Sequence, residues 1–461
     1  MVHHAPVAVS APGKVLLAGG YLVLDREFTG LVFGLDARLH VIVQPIPTRN
    51  GVTLNEIVVQ SPQFQDAVWE YGYRLTERDG GMKVTQLRVD ADLKLNSNTF
   101  VETTLSYALS YMSSMAKPTI TPASITILAD NDYYSTPSDL ANGSSTPPRF
   151  HVFGTPISKA HKTGLGSSAA LVTALTAALL TYYLPKDTLD LSTELGKRHL
   201  HNLAQAAHCA AQGKVGSGFD VASAVYGSCL YRRFFPAILS NHAEPGQANF
   251  GTQIKAIVDE SDEVQWDHEI LKNAVKVPRG LRLVMCDVSH GSQTPGMVKQ
   301  VLAWRKEKPD EANVIWGQLH KHNSGLADEL KIAAECPSGE DQYSKVTEHF
   351  RSIRSLIRQM SDKSGVPIEP PEQTKLLDAC EKIPGVVGGV VPGAGGYDAI
   401  SVLVRDDPDS LAQLRDLLSG WRFMGGIDGE EISGRVSMLG VREEMEGVRP
   451  EKAHVYKQWL P

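Results

Sequence analysis

The sequence is poor in cysteine, and its cysteines are not arranged in pairs. Five occur in 461 residues, widely separated and without any Cys-x-x-Cys motif. An odd and scattered set does not indicate a disulfide framework; it is typical of reduced thiols that pack as small core residues. We therefore expect a cytoplasmic, reducing compartment.

Long apolar runs and an excess of basic charge are also missing. The most apolar stretch, Ala169–Leu184, contains three threonines and is too short to span a bilayer. Residues Met1–Ala8 lack the basic flank and apolar core of a signal peptide. The net charge of −7 argues against general nucleic-acid binding, and it requires any site for a polyanion to concentrate positive charge locally. Internal repeats and heptads are absent, and the length suits two or three domains.

A glycine- and serine-rich loop is the most informative feature that is present. Gly164–Ser168 leads directly into the helical stretch Ala169–Leu184, which Pro185 ends. The first N–H groups of a helix have no intrahelical partners, and the positive end of the helix dipole lies beside them. Glycine lets the backbone approach a phosphate closely, and a serine hydroxyl can cap the helix or reach a phosphate-bound Mg²⁺. An ordinary capped helix is the alternative interpretation of this loop alone.

Two other phosphate-binding motifs fit this loop poorly. A Walker loop would end in Gly-Lys-Ser or Gly-Lys-Thr, and neither follows these glycines. The run does fit Gly-x-Gly-x-x-Ala, but the predicted strand Phe150–Phe153 is separated from it by Gly154–Thr163. Downstream, Lys186–Asp190 is predicted as a loop instead of a strand that ends in an acidic residue. A Rossmann dehydrogenase is therefore disfavoured.

Two further glycine-rich segments carry candidate functional groups. In Val215–Ser223, a glycine turn delivers the carboxylate of Asp220 to the start of a short helix, where Asp could also act only as a cap. In Val391–Ala399, three glycines lie between two apolar strands. This segment could be a simple hairpin, but it is longer than the tightest turns need and exposes consecutive backbone N–H groups.

The remaining pattern predicts mixed α and β structure with a boundary near the middle of the chain. Predicted strands are Val7–Ser10, Val15–Ala18, Gly30–Val43, Ser124–Ala129, Leu281–Asp287, Val386–Val391 and Ala399–Val404, with a turn at Ala11–Lys14. Predicted helices are Thr99–Met112, Leu191–Gln212, Pro295–Lys306, much of Val314–Ser361, Glu372–Lys382 and Asp409–Leu418. Ser135–Arg149 is predicted to be an exposed loop. The irregular segment Pro236–Gly251 divides the chain into domains 1–235 and 236–461, and alternating helices and strands indicate an α/β sandwich in the second.

Taken in order, three segments resemble the motifs of the GHMP kinase superfamily, named for galactokinase, homoserine, mevalonate and phosphomevalonate kinases. The matching segments are Ser10–Tyr21, Gly164–Ala170 and Gly393–Gly396. The resemblance implies an α+β fold of two domains, an N-terminal α/β nucleotide-binding domain and a C-terminal ferredoxin-like α/β sandwich. It also implies an active site in the cleft between them.

Four segments are similar, within that superfamily, to the eukaryotic and particularly the fungal phosphomevalonate kinases. They are Gly19–Leu24, Lys162–Ser168, Gln212–Asp220 and His290–Val298. This similarity implies ATP-dependent conversion of 5-phosphomevalonate to 5-diphosphomevalonate, on the route to isoprenoids and sterols, with ATP and Mg²⁺ as cofactors. It indicates no nucleic acid, membrane insertion or obligate protein partner. The alternatives are a kinase of the superfamily with an unphosphorylated acceptor (mevalonate, homoserine or a sugar) and a non-catalytic ligand sensor of this fold.

Lys14 and Asp220 are the catalytic residues that the resemblance implies. Lys14 follows a Pro-Gly pair and offers a positive charge to the transferring phosphoryl group or to the acceptor. Asp220 would pair with Lys14 and orient the acceptor. A phosphate monoester has a second pKa near 6, so this acceptor is already mostly dianionic at neutral pH. Positioning and charge neutralisation should then matter more than proton abstraction, and we expect Asp220 to act chiefly by positioning Lys14.

The loop before the apolar helix is the predicted ATP site. Its residues are Lys162, Thr163, Gly164, Leu165, Gly166, Ser167, Ser168 and Ala169, with Asn98 as a contact to the adenosine. Ser168 is the Mg²⁺ contact that the resemblance implies. Several superfamily members carry a glutamate metal ligand on the helix before the aspartate, but Ala206–Gln212 contains no carboxylate here. The metal would then be held mainly by ATP phosphates, Ser168 and water, with His208 as a packed or hydrogen-bonded residue instead of a ligand.

The acceptor phosphate needs an anion site of its own. Ser292 and Thr294 precede the predicted helix that starts at Pro295, so they can cap this helix and donate to a phosphate. The hydroxyl of Tyr21 is predicted to contact the mevalonate portion. The backbone N–H groups of the third motif are predicted to close over the site; its residues are Gly393, Ala394, Gly395 and Gly396.

Overall fold

The computed structural model describes residues 5–47, 54–87, 97–115, 120–135, 148–262, 264–272, 274–288, 294–335, 342–424, 431–432 and 436–461. The strands are β1 (Val7–Ala18), β2 (Thr29–Pro45), β3 (Glu56–Gln60), β4 (Val68–Leu75), β5 (Met82–Gln86), β6 (Ala123–Ala129), β7 (Cys229–Arg232), β8 (Glu269–Lys272), β9 (Leu281–Val288), β10 (Val386–Val390), β11 (Ala399–Arg405), β12 (Phe423–Met424), β13 (Glu431–Ile432), β14 (Val436–Met438), β15 (Glu443–Glu444) and β16 (Arg449–Glu451). The helices are α1 (Thr99–Met115), α2 (Ser167–Tyr183), α3 (Glu194–Gln212), α4 (Phe219–Tyr226), α5 (Phe250–Asp259), α6 (Thr294–Glu307), α7 (Pro309–Glu335), α8 (Ser344–Ser364), α9 (Pro371–Cys380) and α10 (Pro408–Gly420).

A large sheet carries the first half of the chain. Its strands are ordered β16-β1-β2-β6-β3-β4-β5, β7 and β15 also pair with β2, and β8 pairs with β7. The β3–β6 pair is parallel and the other pairs are antiparallel. Helices α1 to α5 pack together over this sheet, with α2 against β1 and β2. Since α5 and β8 belong to this layer, the segment after residue 235 begins by adding to the first sheet; the predicted boundary stays a prediction.

A smaller sheet forms the centre of the second half. Its order is β10-β11-β9-β14, and every pair is antiparallel. Helices α9 and α10 pack against it around one apolar cluster, and α8 packs against β10 with α7 beside α8. The predicted α+β architecture, with an α/β sandwich in the second half, is confirmed.

Two local predictions are wrong. Ala11–Lys14 is not a turn but part of the continuous strand β1. Proline has no N–H to donate to the ladder, and a bulge between Pro12 and Gly13 accommodates it within the strand. Phe150–Phe153 is not a strand, although the Phe153 N–H donates to Gln63 O at 2.8 Å. Most of the predicted loop Ser135–Arg149 lies outside the described residues.

The described cysteines pack as small buried residues, as the sequence predicts. The cysteines within the described residues are free and buried: Cys209, Cys229, Cys286 and Cys380. Among the helices of the described chain, none combines the length and apolarity needed to cross a bilayer.

Candidate active site

The glycine-rich loop lies against β1, and Lys14 holds it there through both its backbone and its side chain. The Lys14 N–H donates to Leu165 O at 2.9 Å. Lys14 Nζ donates to Gly164 O at 3.0 Å. Helix α2 begins at Ser167, and the N–H groups from 164 to 168 donate to no protein acceptor within the described residues. These groups, with the positive end of the helix dipole, have the geometry of an anion site; their use by ATP stays a prediction.

Gly166 is the position where the loop requires glycine. It precedes α2 in the left-handed region, with φ of 81°. A Cβ added there would lie 2.8 Å from Lys14 Cε and 3.0 Å from Lys14 Cγ. The absence of a side chain at Gly166 is therefore what lets the Lys14 stem pass over the loop.

Asp220 lies in the first turn of α4, which confirms the predicted short helix. Gly218 provides the left-handed residue before this helix, and Asp220 Oδ1 accepts from the Val221 N–H at 3.0 Å. Asp220 and Lys14 line one cleft of about 540 Å³. In the described part of the chain no direct ion pair joins them, because Lys14 Nζ contacts Gly164 O instead. The expected pairing is thus electrostatic, not a direct contact.

The position of the Lys14 ammonium in the cleft affects its pKa. Burial lowers the pKa of Lys14 below its usual value, and the charge of Asp220 opposes this effect by raising it. The ring of Phe219 lies 5.8 Å from Nζ. Asp220 therefore helps to keep Lys14 charged in a desolvated site.

His208 lies between the glycine-rich loop and the carboxylate of Asp220. Its ring, only 2% exposed, places Nε2 at 3.1 Å from Ser168 Oγ and 3.2 Å from Gln212 Nε2. The same nitrogen lies 3.8 Å from Asp220 Oδ2. The expectation of a hydrogen-bonded helix residue fits this geometry, but sequence reasoning missed that His208 joins two predicted site residues. The signal available was its position on the helix segment where other superfamily members carry a carboxylate.

A small cavity of about 90 Å³ adjoins the loop and is separate from the cleft that Asp220 lines. Asn98, Lys162, Ser167 and Ser168 line it, together with apolar and aromatic side chains that include Trp69. Asn98 Oδ1 also accepts from the Val101 N–H at 3.3 Å and so caps α1. The structure therefore brings Asn98 next to the loop, as a contact to adenosine would require.

Tyr21 and the third motif line another part of the cleft, where the acceptor is predicted to bind. Tyr21 adopts φ of 63°, and its hydroxyl donates to Ala394 O at 2.7 Å. Its hydroxyl thus holds the third motif, and the predicted contact to substrate stays a prediction.

The backbone N–H groups of the third motif are mostly occupied by the protein itself. Gly393 N–H donates to Leu16 O at 3.1 Å and Gly396 N–H donates to Ile368 O at 2.8 Å. Gly395 N–H donates to Pro392 O at 3.2 Å. Gly393 N–H thus ties the loop to β1, Gly396 N–H ties it to the segment after α8, and Gly395 N–H closes a turn within the loop. A role of the third motif in closing over the site stays a prediction.

Helix α6 faces the cleft from the C-terminal half. It begins at Thr294, and its residues Val298 and Leu302 line the cleft. Ser292 lies outside the described residues, and so does the side chain of Thr294. The predicted helix is confirmed, while the predicted phosphate contacts stay predictions.

Oxygen donors for a magnesium ion are present at the junction around His208. Ser168 Oγ and Asp220 Oδ2 both lie within 3.8 Å of the same ring nitrogen. Such oxygens, completed by nucleotide phosphates and water, suit Mg²⁺. In the part of the chain that the structure describes, no group of three or more His, Cys, Asp or Glu side chains is arranged to hold a metal.

Comparison with known proteins identifies relatives along the whole chain. The profile of the GHMP kinases N terminal domain matches residues 152–228, and that of the GHMP kinases C terminal domain matches residues 345–419. A phosphomevalonate kinase of Gibberella zeae is 51% identical over 99% of this chain and 99% of its own. One from Aspergillus fumigatus is 48% identical over 99% of each chain. A protein of Arabidopsis thaliana named as a peroxisomal phosphomevalonate kinase is 33% identical over 87% of this chain and 90% of its own.

A solved structure gives the same fold. The phosphomevalonate kinase of Streptococcus pneumoniae, in complex with phosphomevalonate and AMPPNP, superposes with a TM-score of 0.58. The alignment covers 94% of this chain and 100% of the other, at 16% identity. Its architecture is the two-domain one described above.

Proposed function

This chain belongs to the phosphomevalonate kinases of the GHMP kinase superfamily. From that premise we propose that it transfers the γ-phosphoryl group of ATP to (R)-5-phosphomevalonate, giving (R)-5-diphosphomevalonate and ADP in the mevalonate pathway. The observation that carries the proposal is identity of 51% and 48% to two fungal phosphomevalonate kinases over 99% of the chain.

The nucleotide is proposed to bind with its phosphates on the N–H groups of Gly164–Ser168. Its adenosine would extend toward Asn98. The unpaired N–H groups at the start of α2 and the adjoining cavity support this placement. An array of fixed N–H donors stabilises phosphate charge without reorganising during transfer.

The chemical problem that the cleft must solve is repulsion between two anions. The acceptor phosphate is mostly dianionic at neutral pH, so it is nucleophilic without a general base. Lys14 reaches over the nucleotide loop into the cleft that holds Asp220. We propose that the Lys14 ammonium neutralises charge on the transferring group, and that Asp220 keeps this ammonium charged and in place.

Mg²⁺, when bound, supplies further neutralisation of the nucleotide phosphates. We propose Ser168 as its contact from the protein. Ser168 Oγ and Gln212 Nε2 both lie within hydrogen-bond distance of His208 Nε2, which offers a single lone pair when this nitrogen is the acceptor of the neutral ring. A Ser168 hydroxyl that donates to the same nitrogen would turn its oxygen lone pairs toward the phosphates. His208 would thus orient Ser168.

The cellular compartment is also a proposal. Free, buried thiols fit a cytoplasmic enzyme. The Arabidopsis relative carries a peroxisomal name, so a peroxisomal location is the alternative. Imaging of a tagged full chain in its own host tests the cytoplasmic assignment, and a punctate organellar signal would contradict it.

The experiment that tests the function is coupled ADP release from Mg·ATP with 5-phosphomevalonate, mevalonate, homoserine and galactose offered separately. We expect turnover with 5-phosphomevalonate alone. Turnover with an unphosphorylated acceptor would still fit a kinase of this superfamily, but it would contradict the predicted roles of Ser292 and Thr294. Nucleotide binding without any turnover would favour the ligand-sensor alternative.

A further inference from the structure

Arg233 is a charged residue of the cleft that sequence reasoning did not single out. It directly follows β7 and lines the cleft together with Lys14 and Asp220. One terminal nitrogen, Nη1, donates to Leu24 O at 2.7 Å. The other, Nη2, donates to Val215 O at 3.0 Å and to Gly216 O at 2.7 Å. One guanidinium therefore joins the segment after the first motif to the glycine loop before Asp220.

The loop before Asp220 is held by side chains at successive carbonyls. Arg233 binds those of Val215 and Gly216, and the Tyr231 hydroxyl donates to Ser217 O at 2.7 Å. Glycine residues otherwise give this loop wide backbone freedom. The position of Asp220 therefore depends on anchors outside the loop.

Arg233 differs from its neighbour in having no carboxylate partner. Arg232 pairs with Glu269 at 3.1 Å, whereas no ion pair involves Arg233 in the described part of the chain. Asp25, whose charge acts on Arg233, pairs with Arg305 at 2.7 Å. Arg233 Nε is buried and finds no acceptor among the described residues. Desolvating an unpaired cation is costly, so a purely structural need would be met more cheaply by a neutral side chain.

We propose that Arg233 is a positioning residue for the reaction: its planar guanidinium ties Val215 and Gly216 to Leu24 and so sets Asp220 against the acceptor side of the cleft. This inference rests on the proposed function. Lysine cannot replace arginine in this role, because a single ammonium on a flexible stem cannot bridge carbonyls on both segments in one fixed plane.

The test compares R233K and R233M with R232K and R232M in coupled ADP release with 5-phosphomevalonate. We expect both Arg233 variants to lower kcat by on the order of 10²-fold, the loss typical of a misplaced catalytic group, while KM for ATP changes less than about threefold. The Arg232 variants should stay within about twofold of the wild type, since an exposed ion pair contributes little.

Hydrogen exchange provides a second readout that does not depend on turnover. In R233K, peptides covering residues 214–220 should exchange faster than in the wild type, with unchanged exchange at the start of α2. Wild-type kcat in R233K, unchanged exchange in this loop, or a rise confined to KM for ATP would each overturn the inference. If the wild type fails to use 5-phosphomevalonate, the proposed function fails, and loop exchange still decides whether Arg233 holds the loop. If R233M does not fold, R233K carries the comparison.

Discussion

Replacement of Gly166 by alanine should separate a general backbone cost from a specific effect on catalysis. Gly166 adopts the left-handed region at φ of 81°, and this conformation costs a residue with a Cβ about 1–2 kcal/mol. The new Cβ would also lie 2.8 Å from Lys14 Cε, a separation that forces the side chain to move. Gly280 offers a matched control, since its φ is 86° and nothing lies within 4 Å of an added Cβ.

Both variants should therefore lose about 1–2 kcal/mol of unfolding free energy, measured by urea denaturation. Only G166A should also lose turnover. Displacing the Lys14 ammonium by about 1 Å would lower kcat by up to about 10²-fold in coupled ADP release at saturating ATP. If G166A turned over as fast as G280A at equal loss of stability, the proposed dependence of catalysis on the path of Lys14 would be refuted.

Three further perturbations test other parts of the structure. In D220N, loss of the charge that raises the pKa of Lys14 should move the alkaline limb of the pH–rate profile to lower pH, so that activity returns as pH falls; loss at every pH would make Asp220 a required base. H208Q should weaken binding of Mn²⁺ with ADP about tenfold in electron paramagnetic resonance titrations, because Ser168 would lose the residue that orients it. Unchanged affinity would refute this role of His208. R354M should lower unfolding free energy by about 3–5 kcal/mol in urea, because it leaves Glu369, whose side chain is 1% exposed, without its bidentate partner. A loss below about 1 kcal/mol would show that Arg358, the other cation that pairs with Glu369, compensates.

The site could be located from sequence because its backbone features are local. Gly164–Ser168 predicts an anion-binding helix start from residue types alone, and the glycine turn before Asp220 predicts a short helix in the same way. Both features require only neighbours in the chain. The resemblance to the superfamily then indicated that these two segments meet Lys14 in one cleft.

The side-chain contacts of the site could not be predicted in the same way. The hydroxyl of Tyr21 donates to Ala394 O, which is 373 positions away, and no local pattern predicts this contact. The Pro12-Gly13 pair was interpreted as a turn, because nothing local shows that β2 pairs with both sides of the bulge. Such outcomes depend on which distant elements pack together, and short sequence patterns do not contain that information.

The pairing of β16 with β1 has a consequence for how the protein is made. Among the described residues, 449–451 are the edge partners of residues 8–10, near the start of the chain. At ribosomal rates of about 5–20 residues per second, this edge of β1 stays unpaired for tens of seconds after its own synthesis. An unpaired apolar edge is open to intermolecular pairing during that interval. We therefore expect chaperones to matter most while the nascent chain lacks β16. A fragment that stops before residue 449 would leave this edge of β1 permanently unpaired.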